Sequence, residues 1–121
     1  MNADERTEAL RDLIELREPI PSAISRLRQF PWDSDTELVA VGRNDLIRIL
    51  DKYLAGELVD AQVEEWAGAL EGRDDVGYEF HPGGALKQII FELANPLLTT
   101  PLEPARACNW KETLGRMEPD R

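Results

Sequence analysis

This chain has one cysteine, one histidine and too few basic residues to balance its acids, and each shortage closes a class of function. The one cysteine, Cys108, can form no internal disulfide and no thiolate metal site, so nothing calls for an oxidising compartment. Cys108 and the one histidine, His81, are the sole candidates for a cysteine–histidine nucleophile, and Cys108, beside Ala107 on a helix-patterned stretch, reads instead as a small buried residue. Lys and Arg number 14 against 24 Asp and Glu, a net charge of −10. That balance opposes nucleic acid and anionic lipid, because binding a phosphate backbone requires a basic stripe. No apolar run approaches the roughly 20 residues that cross a bilayer. The opening "MNADERTEAL" is charged where a signal peptide has its apolar core, so the expectation is a soluble, cytoplasmic protein with no membrane partner. Gly83-Gly84 precedes a helix but lacks the lysine and hydroxyl of a phosphate loop. No cofactor or metal is implied.

What is present is a succession of short helical patterns. With 121 residues and no Gly/Ser-rich linker or repeat, the chain reads as one helical domain with no need of crosslinks. Asn2 and Glu5 resemble a capping box for a helix over 3 to 17, with Leu10, Leu13, Ile14 and Arg17 in register. Pro21 suits the first turn of a second helix that places Ile20, Ile24, Leu27 and Phe30 on one face before "FPWDSD" breaks the pattern. "TELVAV", 36 to 41, is rich in strand formers but has no partner strand in view, so it reads as an isolated extended segment. Asn44 is positioned to cap a helix carrying Leu46, Ile49, Leu50, Tyr53 and Leu54, stopped by Gly56. Asp60 caps another, with Val59, Val63, Trp66 and Leu70 on a stripe and Gly72 after it, and the two read as a helical hairpin. "GALKQIIFELANP" lines up Leu86, Ile89, Ile90 and Leu93, and a last helix from Pro104 aligns Ala107, Trp110, Leu114 and Met117, leaving a loose tail. The expected fold is all-α, a single antiparallel bundle of five to six helices. Residues 44–95 form its centre, 1–43 supply the N-terminal helices and 103–116 the C-terminal one.

Charge is crowded rather than spread. Between Glu57 and His81 stand Glu57, Asp60, Glu64, Glu65, Glu71, Asp74, Asp75 and Glu79 against Arg73 alone, so this segment holds seven of the ten net negative charges. Two readings stay open: acids that serve solubility, or a face that meets a basic partner. Paired carboxylates at i and i+3, Glu15 with Glu18 and Glu71 with Asp74, can share a Mg²⁺ ion, and the pattern resembles the acidic pairs of all-α nucleoside-triphosphate pyrophosphatases, a resemblance that implies a Mg²⁺-dependent nucleotide pyrophosphohydrolase as an alternative. Asp74 falls beyond Gly72, however, and proline breaks separate the pairs. A third reading is a regulatory subunit that oligomerises through the apolar faces of residues 3 to 30.

"DLIRILDKYLAGEL", "DAQVEEWAGALEG", "DVGYEFHP" and "GALKQIIFELANP" follow in that order through residues 45–95. This run resembles the immunity proteins that neutralise nuclease bacteriocins of the colicin E and pyocin type, which carry an acidic second helix and a short Asp-apolar-apolar-Tyr-Tyr-Pro segment. Asp75, Val76, Tyr78 and Pro82 lie on that motif with Phe80 near its second tyrosine; Gly77 replaces an apolar residue, and Glu79 and His81 are additional. The resemblance implies a non-enzymatic inhibitor of a basic toxin nuclease. Independently of the family, an acidic patch raises encounter rates with a basic protein, and buried aromatic anchors hold the complex. The expected contact surface is Glu64, Glu65, Glu71, Asp74, Asp75, Tyr78 and Phe80; the bland alternative is that the two rings cover the end of the bundle.

Overall fold

The computed structural model describes residues 3–79 and 84–116. The expected cap at Asn2, the segment Phe80–Gly83 with its aromatic, histidine and proline, and the tail from Met117 lie outside the described residues.

Each predicted helix forms, with ends set by local chemistry. α1 (Ala3–Ile14) stops three residues short of expectation. Leu16 takes a left-handed backbone, φ 56°, and the Leu16 and Arg17 N–H groups donate to the Leu13 and Asp12 carbonyls at 3.2 and 3.0 Å, a Schellman-type reversal. α2 (Ile20–Leu27) begins with a proline in its first turn, as its sequence dictates. α3 (Arg43–Leu54) is capped by Gly42 rather than Asn44. Asp45 accepts the Gly42 N–H at 2.9 Å, and Glu79, arriving from far along the chain, accepts the Arg43 N–H at 3.1 Å. A Cβ at Gly42 would overlap that Glu79 carboxylate, so a larger residue there would displace the Glu79 side chain from the Arg43 N–H. α4 (Asp60–Leu70) has Asp60 as its first residue rather than its cap, and Gln62 turns back to accept the Val59 N–H at 2.9 Å. α5 (Ala85–Ala94) buries Leu86, Ile89, Ile90 and Leu93, the four residues its spacing selected. α6 (Pro104–Arg116) buries Ala107 and Leu114. Cys108 is exposed, against expectation, because Ala107 takes the inward position of that turn.

The fold is mostly helical but not all-α. β1 (Val39–Val41) pairs in parallel with β2 (Val76–Tyr78), in the register Val39 with Val76, Ala40 with Gly77 and Val41 with Tyr78. The extended segment thus has a partner, drawn from the stretch expected to be an aromatic loop. Parallel pairing is open to it because α3 and α4 lie between the strands and carry the chain back to its starting end.

Packing also departs from the expected hairpin. α4 packs most extensively on α5 and α3 on α6, while α3 and α4 share little. The ion pair of Lys111 on α6 with Asp51 on α3 follows the same partnership, and that of Arg106 on α6 with Glu92 on α5 links the two pairs of helices. Buried residues of the six helices and both strands form one hydrophobic cluster, so residues 3–30 share the core of 44–95. Trp66 is its largest fully buried side chain, and its Nε1–H donates to the Leu13 carbonyl of α1 at 2.9 Å.

Candidate partner-binding surface

The site is built around the one residue of the expected contact surface that cannot touch a partner. Asp75 is 0% exposed. Its Oδ2 accepts from Arg6 Nε at 2.7 Å and from Arg73 Nη2 at 3.1 Å, and its Oδ1 from Arg73 Nε at 2.9 Å. A carboxylate leaves water only where cations and N–H donors replace its hydration, and here two guanidinium groups do so. Burial alone would push its pKa up; the hydrogen bonds from Arg73 and Arg6 outweigh it and hold the carboxyl below the usual range. Asp75 is therefore a structural residue, and its assignment as a contact residue is corrected.

The same guanidinium groups fasten the loop that sequence reading passed over as a helix breaker. Arg6 Nη2 donates to the Pro31 and Asp33 carbonyls, both at 2.8 Å, and Arg73 Nη2 to the Pro31 carbonyl at 3.0 Å. Between them, the Trp32 carbonyl accepts the Asp74 N–H at 3.1 Å. Three consecutive carbonyls are thus held, and the side chain they carry, Trp32, remains 47% exposed. The Arg73 guanidinium lies over its ring, 4.8 Å from the centroid. Beside it runs an open groove of about 420 Å³, lined by Ile24, Leu27, Arg28 and Phe30 from the α2 side and by Glu65, Ala69 and Arg73 from the α4 side.

The other expected contact residues divide. Glu64, Glu65 and Asp74 are exposed and, among the described residues, meet no lysine or arginine in an ion pair. Glu71 is half-buried and approached by Asn95 Nδ2 at 3.5 Å. Tyr78 is half-buried at the end of β2 rather than projecting, and Phe80 lies outside the described residues. The chain matches no protein-family model, no curated protein and no solved structure. Its surface must therefore be read from its own chemistry.

Of the carboxylate pairs offered for a metal, the first is engaged by arginines. Glu15 is paired with Arg17 and Arg11, and Glu18 with Arg26. Among the described residues no group of three or more acids, histidines or cysteines is arranged to hold a metal ion, and no helix is long and apolar enough to cross a membrane.

Burial, and secondarily the Glu71 charge, pushes the Tyr78 phenol up to about 12. The neutral phenol is thus favoured by the folded state, so its contribution to stability is whole below about pH 10, the unfolded value, and is lost as pH rises towards the folded one. The unfolding midpoint should fall between about pH 10 and 12. Tyr78→Phe should remove that part of the fall, as read by urea titrations at each pH.

Trp32 and Arg73 belong to this surface but not to the contact residues expected from the sequence. The signal was there: a tryptophan followed by Asp33, Asp35 and Glu37, and one arginine in the middle of an acidic segment.

Proposed function

We propose that the protein is a non-catalytic binding module for a basic protein, acting as an immunity protein or antitoxin that blocks a toxin nuclease by charge and shape. The observation that supports this reading is the location of Arg73. It is the one cation of the acidic segment, and it is buried against Asp75, where it neutralises nothing at the surface. Asp60, Glu64, Glu65 and Asp74 therefore present their charge to solvent, and a nuclease must carry the opposite charge to hold its substrate. The Arg6–Asp75–Arg73 cluster gives the surface a fixed backbone, which lowers the ordering cost of binding.

The test is inhibition of a panel of basic bacteriocin-type nucleases, with association rates measured at low and at physiological salt. The expected result is inhibition of at least one enzyme, with an association rate about tenfold or more higher at low salt. Glu64→Lys combined with Glu65→Lys and Asp74→Lys should abolish that salt dependence. Absence of inhibition across the panel, or rates indifferent to both salt and charge reversal, would overturn the proposal.

A further inference from the structure

We infer that the turn after α5, residues 95–99, is an apolar anchor of the docking surface, and that Leu97 and Leu98 pack against a basic amphipathic helix of the partner whose cations meet Asp60 and Glu64 of α4. The inference rests on the binding reading above and adds to it an apolar contact that charge alone does not supply.

Leu97 and Leu98 are 98% and 76% exposed, and Phe91 on the last turn of α5 is a further exposed apolar side chain. Single leucines at a surface are ordinary, whereas adjacent ones displayed together mark a contact. The backbone that carries them is fixed. The Asn95 carbonyl accepts the Leu98 and Thr99 N–H groups at 3.0 and 3.1 Å and the Thr99 hydroxyl at 2.9 Å. Asn95 Nδ2 in turn donates to the Phe91 carbonyl at 2.8 Å, which ties the turn to the helix before it, and Pro96 restricts one more torsion. Little backbone freedom remains to be lost when the two leucines are covered, which lowers the cost of association.

The charges beside the turn state the sign of what covers it. Pro96 and Thr100 line one cleft with Asp60, Glu64 and Glu92, and no lysine or arginine lines it. Glu92 is paired with Arg106, but Asp60 and Glu64 are exposed and, among the described residues, meet no cation in an ion pair. Lys87, the exposed cation of α5, lies towards the other end of that helix, roughly 12 Å along its axis from Asn95. Asp60 and Glu64 stand one turn apart on the same side of α4. A helix with a leucine-rich stripe beside a cationic one is the complement of this arrangement. A second copy of the chain is not, because a two-fold contact through this turn would bring the same carboxylates together on a protein of net charge −10. Anionic lipid is opposed by the same charge.

The experiment titrates the full chain at low salt with a peptide of lysine and leucine in helical register, then with versions in which alanine replaces leucine or glutamate replaces lysine. Binding should be about tenfold weaker without the leucines and absent without the lysines. Leu97→Ser combined with Leu98→Ser should weaken the lysine–leucine peptide about tenfold and leave the urea midpoint unchanged, since neither side chain belongs to the core. Asp60→Asn combined with Glu64→Gln should weaken it as well and reduce its dependence on salt. Absence of binding, binding that survives loss of both leucines, or equal binding of the glutamate peptide would overturn the inference. So would self-association, or adsorption to anionic phosphatidylserine vesicles, that the double serine variant abolishes. Each of these outcomes is separate from the nuclease test above: an enzyme still inhibited with full affinity by the double serine variant would remove the turn from the docking surface and leave the binding reading standing.

Discussion

Asp75→Ala should lower the free energy of unfolding by about 3–5 kcal/mol, because it leaves two guanidinium groups without the carboxylate that replaced their hydration. Arg73, 6% exposed, is the more deeply held of the two, whereas Arg6, with 14% of its side chain exposed, can turn outward. That escape sets the loss towards the lower end of the range. A domain of this size has about 5–15 kcal/mol in all, so the variant should remain folded but give a visibly lower urea midpoint. Loosening should begin in the 31–33 loop, where the Pro31 and Asp33 carbonyls lose fixed donors. Acid provides a second reading of the same site. The folded state holds the Asp75 carboxyl below its ordinary value, so the stabilisation is complete above about pH 4 and is lost as pH falls through the native value. Asp75→Asn, with nothing to protonate there, should show a flatter loss of stability below about pH 4 than the unaltered chain. Equal acid slopes in the two proteins would mean that Asp75 is not a coupled, buried carboxylate.

Trp66→Ala should cost about 3–5 kcal/mol for a different reason, the cavity left where the largest fully buried side chain stood. Trp66 lies on α4, and its indole reaches the Leu13 carbonyl at the end of α1, so one residue ties the N-terminal helix to the central one. Trp66→Phe separates the two contributions. It keeps an aromatic ring and removes the N–H, and the Leu13 carbonyl still accepts the Leu16 N–H at 3.2 Å. The hydrogen-bond part should then be about 1 kcal/mol, with the remainder due to lost volume. A Trp66→Phe variant as unstable as Trp66→Ala would show that the bond, not the packing, governs this junction.

Helix existence was legible because it is a local property. The spacing of Leu86, Ile89, Ile90 and Leu93, or of Val63, Trp66 and Leu70, states which face avoids water, and those residues are buried. Caps were less legible. Asn44 looked like a cap by type, but Gly42 holds that place because Asp45 and Glu79 serve the first N–H groups, and Glu79 is distant in sequence. The candidate surface was legible only in part. Glu64, Glu65 and Asp74 are exposed as a charged helix face and turn should be, while Asp75, adjacent to Asp74 and of the same type, is wholly buried.

The amino-acid order alone settled which stretches coil into helices and where negative charge accumulates, since both depend on neighbours within a few positions. Tertiary structure alone decided that Val39–Val41 and Val76–Tyr78 pair in parallel, that α3 turns to α6 rather than α4, and that Asp75 is internal while Trp32 is displayed. The physical reason is that a carboxylate can be buried only where compensating cations arrive. One of the two that compensate Asp75, Arg6, comes from 69 residues away, a distance over which no local pattern carries information.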